Sequence, residues 1–392
     1  MTEQTSLITD EQRFVLSLLR ASMITGSEVY VPETDGDARE SLSIILRNGI
    51  LLTVYPAIKK TEGEKSALLQ RLNTDLRQQY FITLKQTVLQ DHEGNLALER
   101  LGDAGFQCIA LKGWEMKTFY PEPNMRQMAD LDILVRPYDF KRIRTVMESL
   151  EYTADSESSW KHDSFRKGEV HIEMHKRLTD DSSEIQKWER GMWSRAVRAK
   201  ENIYKMSPED YYIFHFVHLH KDFMNGSLGL RRIVDTWLLQ KQSIDMETVK
   251  VNLERFGLWT FHKRMVHLSH ATMGDEPIDE DSEVLLAHAF RHGIYGSGIS
   301  YKAGRIAAMG KDLKSGKRIS LMKAVFLPYK RMKAQFPILE KYPILLPWCW
   351  IKRIVHFLRG DMKKNRAKLD YSGIKEEDFQ EMKRFFKAGG VR

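Results

Sequence analysis

Two aspartates at the start of an apolar segment restrict the fold of this chain more than any other feature. Asp130 and Asp132 run directly into Ile133-Leu134-Val135, which has the composition of a buried strand. Because side chains at i and i+2 leave a strand on the same face, the two carboxylates are expected side by side at the rim of a sheet. The segment therefore predicts a strand that begins with either a metal site or a solvated pair of acids.

The surroundings of this aspartate pair, rather than its spacing, favour a metal site. Neighbouring carboxylates repel each other unless a cation lies between them. Hard oxygen ligands favour Mg²⁺ or a close relative such as Mn²⁺. Asp35-Gly-Asp37 and Asp279-Glu-Asp281 have the same spacing, but they lie in polar, turn-like sequence. Only the pair at 130 and 132 continues into an apolar strand.

A short apolar segment upstream ends in Lys112-Gly113. Residues 106–111 have the length of a strand, and residues 114–120 are compatible with a helix. A strand, a glycine turn and a helix N-terminus offer backbone N–H groups to an anion, and the lysine adds a point charge. The segment predicts a phosphate-binding turn. The alternative is that Gly113 simply ends a strand.

Polar and apolar residues alternate strictly from Glu169 to His175. This pattern predicts a strand with His171, Glu173 and His175 on one face, opposite Val170, Ile172 and Met174. A third carboxylate on a strand beside the aspartate pair would complete a two-metal site. Such a site transfers a phosphoryl or nucleotidyl group.

These segments, in this order, resemble the uncharacterised nucleotidyltransferase family, which belongs to the DNA polymerase β-like nucleotidyltransferase superfamily. The similarity covers most of the chain from about Phe81 onward. It rests on Leu111-Lys112-Gly113, Tyr120 to Pro123, Arg126, Asp130 to Val135, Val170 to His175, His218 to Lys221, Arg231 to Asp235, and the stretch from Phe326 to Trp348. The chain departs from the superfamily at Trp114, where a second small residue usually follows the glycine.

The resemblance implies transfer of a nucleoside monophosphate from a nucleoside triphosphate (NTP) to an acceptor, with release of pyrophosphate. Asp130 and Asp132 would coordinate two divalent ions, Mg²⁺ or Mn²⁺. Glu173 would hold the ion that activates the attacking group. The residues implied to face the triphosphate are Lys112, Gly113 and Arg126.

Several roles stay open at the level of sequence. His171 and His175 are either structural strand histidines or contacts to the site, and His218 has no assigned role. Asp235 lies near the site or pairs with one of the arginines at positions 231 and 232. A different class of function is a binding or regulatory protein that kept the fold and lost the chemistry. The candidate carboxylates argue against that alternative without refuting it.

Hydrophobic periodicity predicts the α+β fold class: a small mixed-sheet nucleotidyltransferase core flanked by helical modules. Helical patterns at 39–52 and 65–89, and a capping box that begins at Thr9, predict an N-terminal helical module over residues 1–94. Strands at 106–111, 130–136 and 169–175 predict the core over residues 95–200. Ser207 and Pro208 open a helix, and residues 201–392 form the C-terminal helical module.

Composition favours a globular, cytoplasmic protein. The chain has 392 residues, of which 42% are hydrophobic and 29% charged, so it can form more than one hydrophobic core. No stretch approaches the roughly 20 apolar residues of a transmembrane helix. Cys108 and Cys349 have neither disulfide nor zinc spacing, which fits a reducing cytoplasm.

The net charge of +8 favours an anionic partner without identifying the acceptor. Lysine and arginine are concentrated at residues 311–333 and 352–368. Because these basic residues are mingled with apolar helical positions and lack an aromatic stacking platform, a small-molecule acceptor is favoured. RNA and protein acceptors remain possible.

Overall fold

The structure, a computed structural model, combines helices with one mixed sheet and describes residues 8–32, 37–61, 67–155, 162–179, 183–327, 329, 332–333, 336–359 and 370–391. Contacts along the chain divide it into two compact units. The first comprises residues 1–221, 228–295 and 388–391, and the second comprises 222–227, 296–387 and 392. All candidate site residues belong to the first unit. The predicted division after residues 94 and 200 stays a prediction.

The N-terminal part is helical, as the periodicity predicts. Its first helices are α1 (Asp10–Met23), α2 (Ala38–Arg47) and α3 (Leu51–Lys60). The capping box at the start of α1 is confirmed, since the side chains of Thr9 and Gln12 each accept a bond from the other's backbone N–H. The single helix predicted over 39–52 is wrong. Gly49, at φ +61°, separates α2 from α3 in a conformation that favours glycine.

A single long helix, α4 (Ala67–Asp103, 37 residues), joins the helical part to the sheet. The sequence pattern predicts a helix over 65–89, whereas the helix in the structure continues without a break to Asp103. Its N-terminal half buries Leu68, Leu69, Leu72 and Leu76. Its C-terminal half buries Ala97, Leu98 and Leu101 in the core cluster of the sheet.

The sheet has seven strands in the order β3-β4-β5-β2-β1-β7-β6. The strands are β1 (Gln107–Ala110), β2 (Leu131–Arg136), β3 (Thr153–Ala154), β4 (His162–Lys167), β5 (Val170–His175), β6 (Val197–Lys200) and β7 (Ile203–Lys205). β2 runs parallel to β5 and antiparallel to β1, and β7 runs parallel to β1. The predicted mixed sheet is confirmed. It is larger than the three strands that the sequence pattern indicates.

The register between β2 and β5 aligns the candidate carboxylates. Asp132 pairs with Glu173 across these parallel strands. The alternate residues Leu131, Ile133 and Val135 enter the core cluster with Val170, Ile172 and Met174, beneath α4 and α6 (Phe140–Ser149). Because successive side chains alternate, the core fixes which residues reach the opposite face. Asp132 and Glu173 belong to that opposite face.

Sequence patterns missed the strands β3, β4, β6 and β7. β4 and β5 form an antiparallel hairpin around Gly168, at φ +56°, a conformation that suits a tight hairpin turn. The sequence of β4, His162 to Lys167, has few apolar residues, because only one of its faces is buried. A strand of this kind has a weak apolar signal.

The remaining elements are almost entirely helical. They are α5 (Gly113–Met116), α7 (Ser183–Arg195), α8 (Pro208–Met224), α9 (Leu230–Gln240), α10 (Met246–Arg255), α11 (Trp259–Met273), α12 (Glu280–His292), α13 (Gly298–Ala307), α14 (Leu313–Val325), α15 (Ile338–Lys341), α16 (Leu346–Arg359) and α17 (Glu376–Ala388). Ser207 caps α8 as predicted, since its hydroxyl accepts from the Asp210 N–H at 3.1 Å. Among the described helices, none is both long and apolar enough to cross a membrane.

Candidate active site

Lys112 connects the end of β1 to the aspartate strand. Its amine donates to Asp132 Oδ1 at 2.7 Å, and its carbonyl accepts from the Tyr211 hydroxyl at 2.7 Å. The backbone of Lys112 has φ +51° and ψ −119°, which strains a residue other than glycine. Although burial opposes the charged amine, Asp132 and Asp130 raise the pKa of Lys112. The lysine therefore stays protonated beside the carboxylates.

Gly113 lies directly against an arginine. A Cβ atom at this position would clash with the guanidinium of Arg126 and lie 2.9 Å from Met128 Sδ. Close packing therefore favours glycine at position 113, independently of any role of its backbone in binding phosphate. The next residue, Trp114, packs in the same way against Gly94 of α4, where a Cβ would collide with the indole. The large residue at position 114 is thus accommodated by a glycine on the neighbouring helix.

Arg126 is held by Asp235 in a buried, bidentate ion pair. Arg126 Nε and Nη2 donate to the two oxygens of Asp235 at 2.8 and 2.7 Å, and the Tyr120 hydroxyl donates to Oδ1 at 2.8 Å. Burial alone would raise the pKa of Asp235, but the adjacent guanidinium lowers it to about 2. Asp235 therefore lies near the site and pairs with Arg126, the first of the two arrangements considered for it. The role of Arg126 toward a triphosphate stays a prediction.

A small cavity of about 10 Å³ separates these two ion pairs. Lys112, Arg126 and Asp235 line it together with His218 and Arg232. Arg232 Nη2 lies 3.3 Å from His218 Nδ1. Arg232 and His218, both from helices that follow the sheet, thus line the same cavity as Lys112.

Asp132 is the most enclosed of the three candidate carboxylates. Its Oδ1 atom lies 2.6 Å from His175 Nε2 and 2.7 Å from the Lys112 amine. Burial opposes its ionisation, but Lys112 and His175 hold the pKa of Asp132 well below its usual range. Asp130 is half-buried, and both burial and the charge of Asp132 raise its pKa. The repulsion between the carboxylates of Asp130 and Asp132 would be relieved by an added cation.

Glu173 lies between histidines. Its two oxygens are 3.3 Å from His175 Nε2 and 3.6 Å from His162 Nε2. Burial would raise the pKa of Glu173, and the hydrogen bond with His175 outweighs it and lowers the pKa. Burial likewise opposes protonation of His175, but bonds to Asp132 and Glu173 raise its pKa. When protonated, His175 is a counterion of Asp132 and Glu173.

The same side chains form two overlapping sets of metal donors. Donor atoms of Asp130, His171 and Glu173 lie within 4.8 Å of one another, and so do those of His162, Glu173 and His175. Carboxylate oxygens suit Mg²⁺ and Mn²⁺, and imidazole nitrogens suit transition metals. The residues present therefore fit a divalent cation, with Glu173 shared by both sets.

The structure brings together most of the residues singled out from the sequence. Asp130, Asp132, Glu173 and Lys112 converge on one edge of the sheet, and Gly113 follows directly. His162 was missed because β4 was missed. A hairpin centred on Gly168 pairs His162 with His175. Recognising β4 from the sequence would therefore have placed His162 beside the candidate site.

Comparison with known proteins supports the family resemblance. The family described as "uncharacterised nucleotidyltransferase" matches residues 34–274, more than half of the chain. This match begins earlier than Phe81 and ends before the late stretch at 326–348. No curated protein matches the chain significantly.

Among solved structures, the chain is similar to the solution structure of the antibiotic-resistance factor ANT(2'')-Ia. The two share 13% identity over 44% of this chain and 92% of that chain, with a TM-score of 0.33. A likeness of this size establishes neither the fold nor the activity. The family match alone is decisive: the chain belongs to the uncharacterised nucleotidyltransferase family.

Proposed function

We propose that this protein transfers a nucleoside monophosphate from an NTP to an acceptor and releases pyrophosphate, with Mg²⁺ or Mn²⁺ as cofactor. The observation that carries the proposal is that Asp130 and Glu173 share one set of metal donors, while Asp132 pairs with Glu173 across the strands and bonds to the Lys112 amine. Three acids and one lysine at a sheet edge fit phosphoryl-group chemistry, in which positioning and charge neutralisation supply most of the catalysis.

Asp130, Asp132 and Glu173 would hold the cations, and His171 would add a nitrogen donor. When bound, the ions would neutralise the triphosphate and lower the pKa of the attacking hydroxyl. The mixed oxygen and nitrogen donors support Mn²⁺ as well as Mg²⁺. The Lys112 amine, which donates to Asp132, would also interact with the phosphates.

The proposed reaction balances without a redox partner. The acceptor's nucleophilic oxygen forms a bond to the α-phosphorus, and the bond from that phosphorus to the α,β-bridging oxygen breaks. Pyrophosphate leaves with the electron pair, and the acceptor's proton passes to water. Gly113 and Arg126 would line the triphosphate side, with Asp235 fixing the orientation of the guanidinium.

The test is release of pyrophosphate and transfer of label from each α-labelled NTP in cell extract, with Mg²⁺ or Mn²⁺. Asp130→Asn and Asp132→Asn keep the side-chain size but remove charge, so turnover should fall at least about 100-fold. The thermal shift caused by NTP and metal should disappear in both variants. Asp281→Asn is the matched control, because Asp279 and Asp281 have the same spacing away from the site.

Undiminished turnover in Asp130→Asn would refute the metal site. Metal-dependent NTP binding without any transfer would instead favour the alternative of a binding or regulatory protein. The acceptor class, whether small molecule, RNA or protein, and a cytoplasmic location remain predictions.

A further inference from the structure

A groove between α3 and α4 is chemically distinct from the candidate active site. Its cavity has a volume of about 680 Å³, within the range of small-ligand sites. Six of its lining residues carry the argument: Tyr55, Lys59, Lys60, Arg77, Tyr80 and Phe81. The groove combines aromatic rings with cations, and the lining residues that the structure describes include no carboxylate.

Three aromatic rings line one part of the groove. The rings of Tyr55 and Tyr80 stack with centroids 4.1 Å apart, and Phe81 meets Tyr80 edge-on at 5.4 Å. Phe81 is 56% exposed, so one face of its ring is open to solvent. An exposed ring beside a stacked pair offers a face to another planar ring.

The charged part of the groove is positive. Lys59 and Lys60 come from the last turn of α3, and Arg77 comes from the facing side of α4. Among the described residues, no carboxylate forms an ion pair with these three cations. Glu62 and Glu64 lie outside the described residues. Cations next to aromatic rings match a phosphate attached to a planar base.

The groove lies on the same helix as contacts to the active site. Within α4, Gln90 Nε2 donates to the Ala129 carbonyl at 3.4 Å, directly before Asp130. Gln90 follows Phe81 by nine positions, which along a helix is a rise of about 14 Å and a rotation of about 180°. Helix α4 therefore joins the groove to the segment before the aspartate strand, with the two contacts on different sides of the helix.

We propose that this groove binds a nucleotide unit of the acceptor, either a free nucleotide or the end of an RNA. This inference rests on the proposed function, because it names the acceptor of the same reaction. The phosphate would contact Lys59, Lys60 and Arg77, and the base would stack on Phe81. RNA, disfavoured from the C-terminal basic segments, thereby gains a stacking platform in the helical N-terminal part.

The experiment measures binding of AMP and of a labelled ten-nucleotide single-stranded RNA to the full chain in EDTA, which removes metal-dependent NTP binding. The double variant Phe81→Ala/Arg77→Gln should bind the probe at least about tenfold more weakly. Its logarithmic salt slope should also fall by about 0.7 for the lost phosphate contact. Ile82→Ala/Arg71→Gln is the matched control, because both residues are exposed on α4 but do not line the groove.

Comparing the two probes distinguishes the sources: tighter binding of AMP supports a free nucleotide, and tighter binding of RNA supports a strand end. Absence of binding of both probes, or equal weakening by the groove and control variants, would overturn the inference. Asp130→Asn separates the two proposals. It should bind the probe in EDTA like the unmodified chain, whereas its turnover tests only the catalytic site.

Discussion

Two buried ion pairs lie side by side in this protein, and they differ in how completely they are enclosed. Arg126 and Asp235 have side chains that are 4% and 0% exposed, and two hydrogen bonds join them. Lys112 and Asp132 share one bond, and the lysine side chain is 22% exposed. The first pair is enclosed by the protein and is called the saturated pair below. In the second, the open pair, the Lys112 side chain remains accessible to a ligand.

The difference predicts that the two pairs have their larger effects on different quantities, stability for the first and turnover for the second. A buried charge that loses its only partner is strongly destabilising, because nothing hydrates it. A charge that solvent can reach is hydrated when its partner is lost, so a change there alters ligand binding more than folding. The saturated pair should therefore dominate stability, and the open pair should dominate turnover.

The largest expected effect comes from opening the saturated pair. Asp235→Asn leaves the Arg126 guanidinium buried without a counterion, so the free energy of unfolding should fall by about 3–5 kcal/mol. Chemical denaturation followed by circular dichroism measures this loss.

Asp210→Asn is the control for this prediction. Arg195 also donates two bonds to Asp210, but the Arg195 side chain is 44% exposed, so solvent can hydrate its charge when the partner is lost. The free energy of unfolding should fall less than half as much in Asp210→Asn as in Asp235→Asn. Equal losses in the two variants would show that enclosure does not distinguish these ion pairs.

A smaller effect, and a different one, is expected at the open pair. Lys112→Gln removes a charge beside the proposed phosphates, so kcat/KM for the NTP should fall about 100-fold, or about 2.7 kcal/mol. Its free energy of unfolding should change by less than that of Asp235→Asn, because His175 remains bonded to Asp132. Steady-state kinetics and denaturation on the same preparation measure both quantities. A Lys112→Gln variant that unfolds as readily as Asp235→Asn would remove the distinction.

The smallest expected effect depends on pH and involves His215, beside the saturated pair. Burial lowers the pKa of His215 to about 3, against 6.5 for the unfolded chain. The folded state keeps this histidine neutral, so its contribution to stability is complete above pH 6.5. That contribution decreases as the pH falls toward 3. Between pH 7 and pH 5 the loss should be about 2 kcal/mol.

Urea unfolding of the unmodified chain and of His215→Gln at pH 7 and pH 5 tests this. The variant should lose less stability over the same interval by about that amount, even if Gln weakens the bond to Thr236 at both pH values. Identical pH dependence in the two proteins would assign the acid sensitivity to other groups, including His262, whose pKa burial lowers to about 4.

Local sequence determines the parts of this site that belong to single strands. Alternation alone places Asp132 opposite Ile133 and places Glu173 beside His171 and His175, because the period of a strand is fixed. The strand pairing that brings Asp132 beside Glu173 is not contained in either segment. The sequence suggests this pairing only indirectly, because a two-metal site needs a third carboxylate beside the aspartate pair.

The partners that the sequence could not predict are distant in the chain. Arg126 and Asp235 are 109 residues apart, and two adjacent arginines made a local pairing equally plausible. His162 belongs to a strand with one buried face and a weak apolar pattern. The α3–α4 groove depends on how two helices pack, which periodicity within one helix does not specify.

The unbroken helix α4 constrains how this protein can vary. Its 37 residues extend about 55 Å, and every added residue turns the helix by about 100°. One residue inserted between Phe81 and Gln90 would therefore rotate the groove by about 100° relative to the sheet. Relatives that use other acceptors should exchange side chains along this helix and keep its length. Within this segment, insertions and deletions are expected to be far rarer than substitutions.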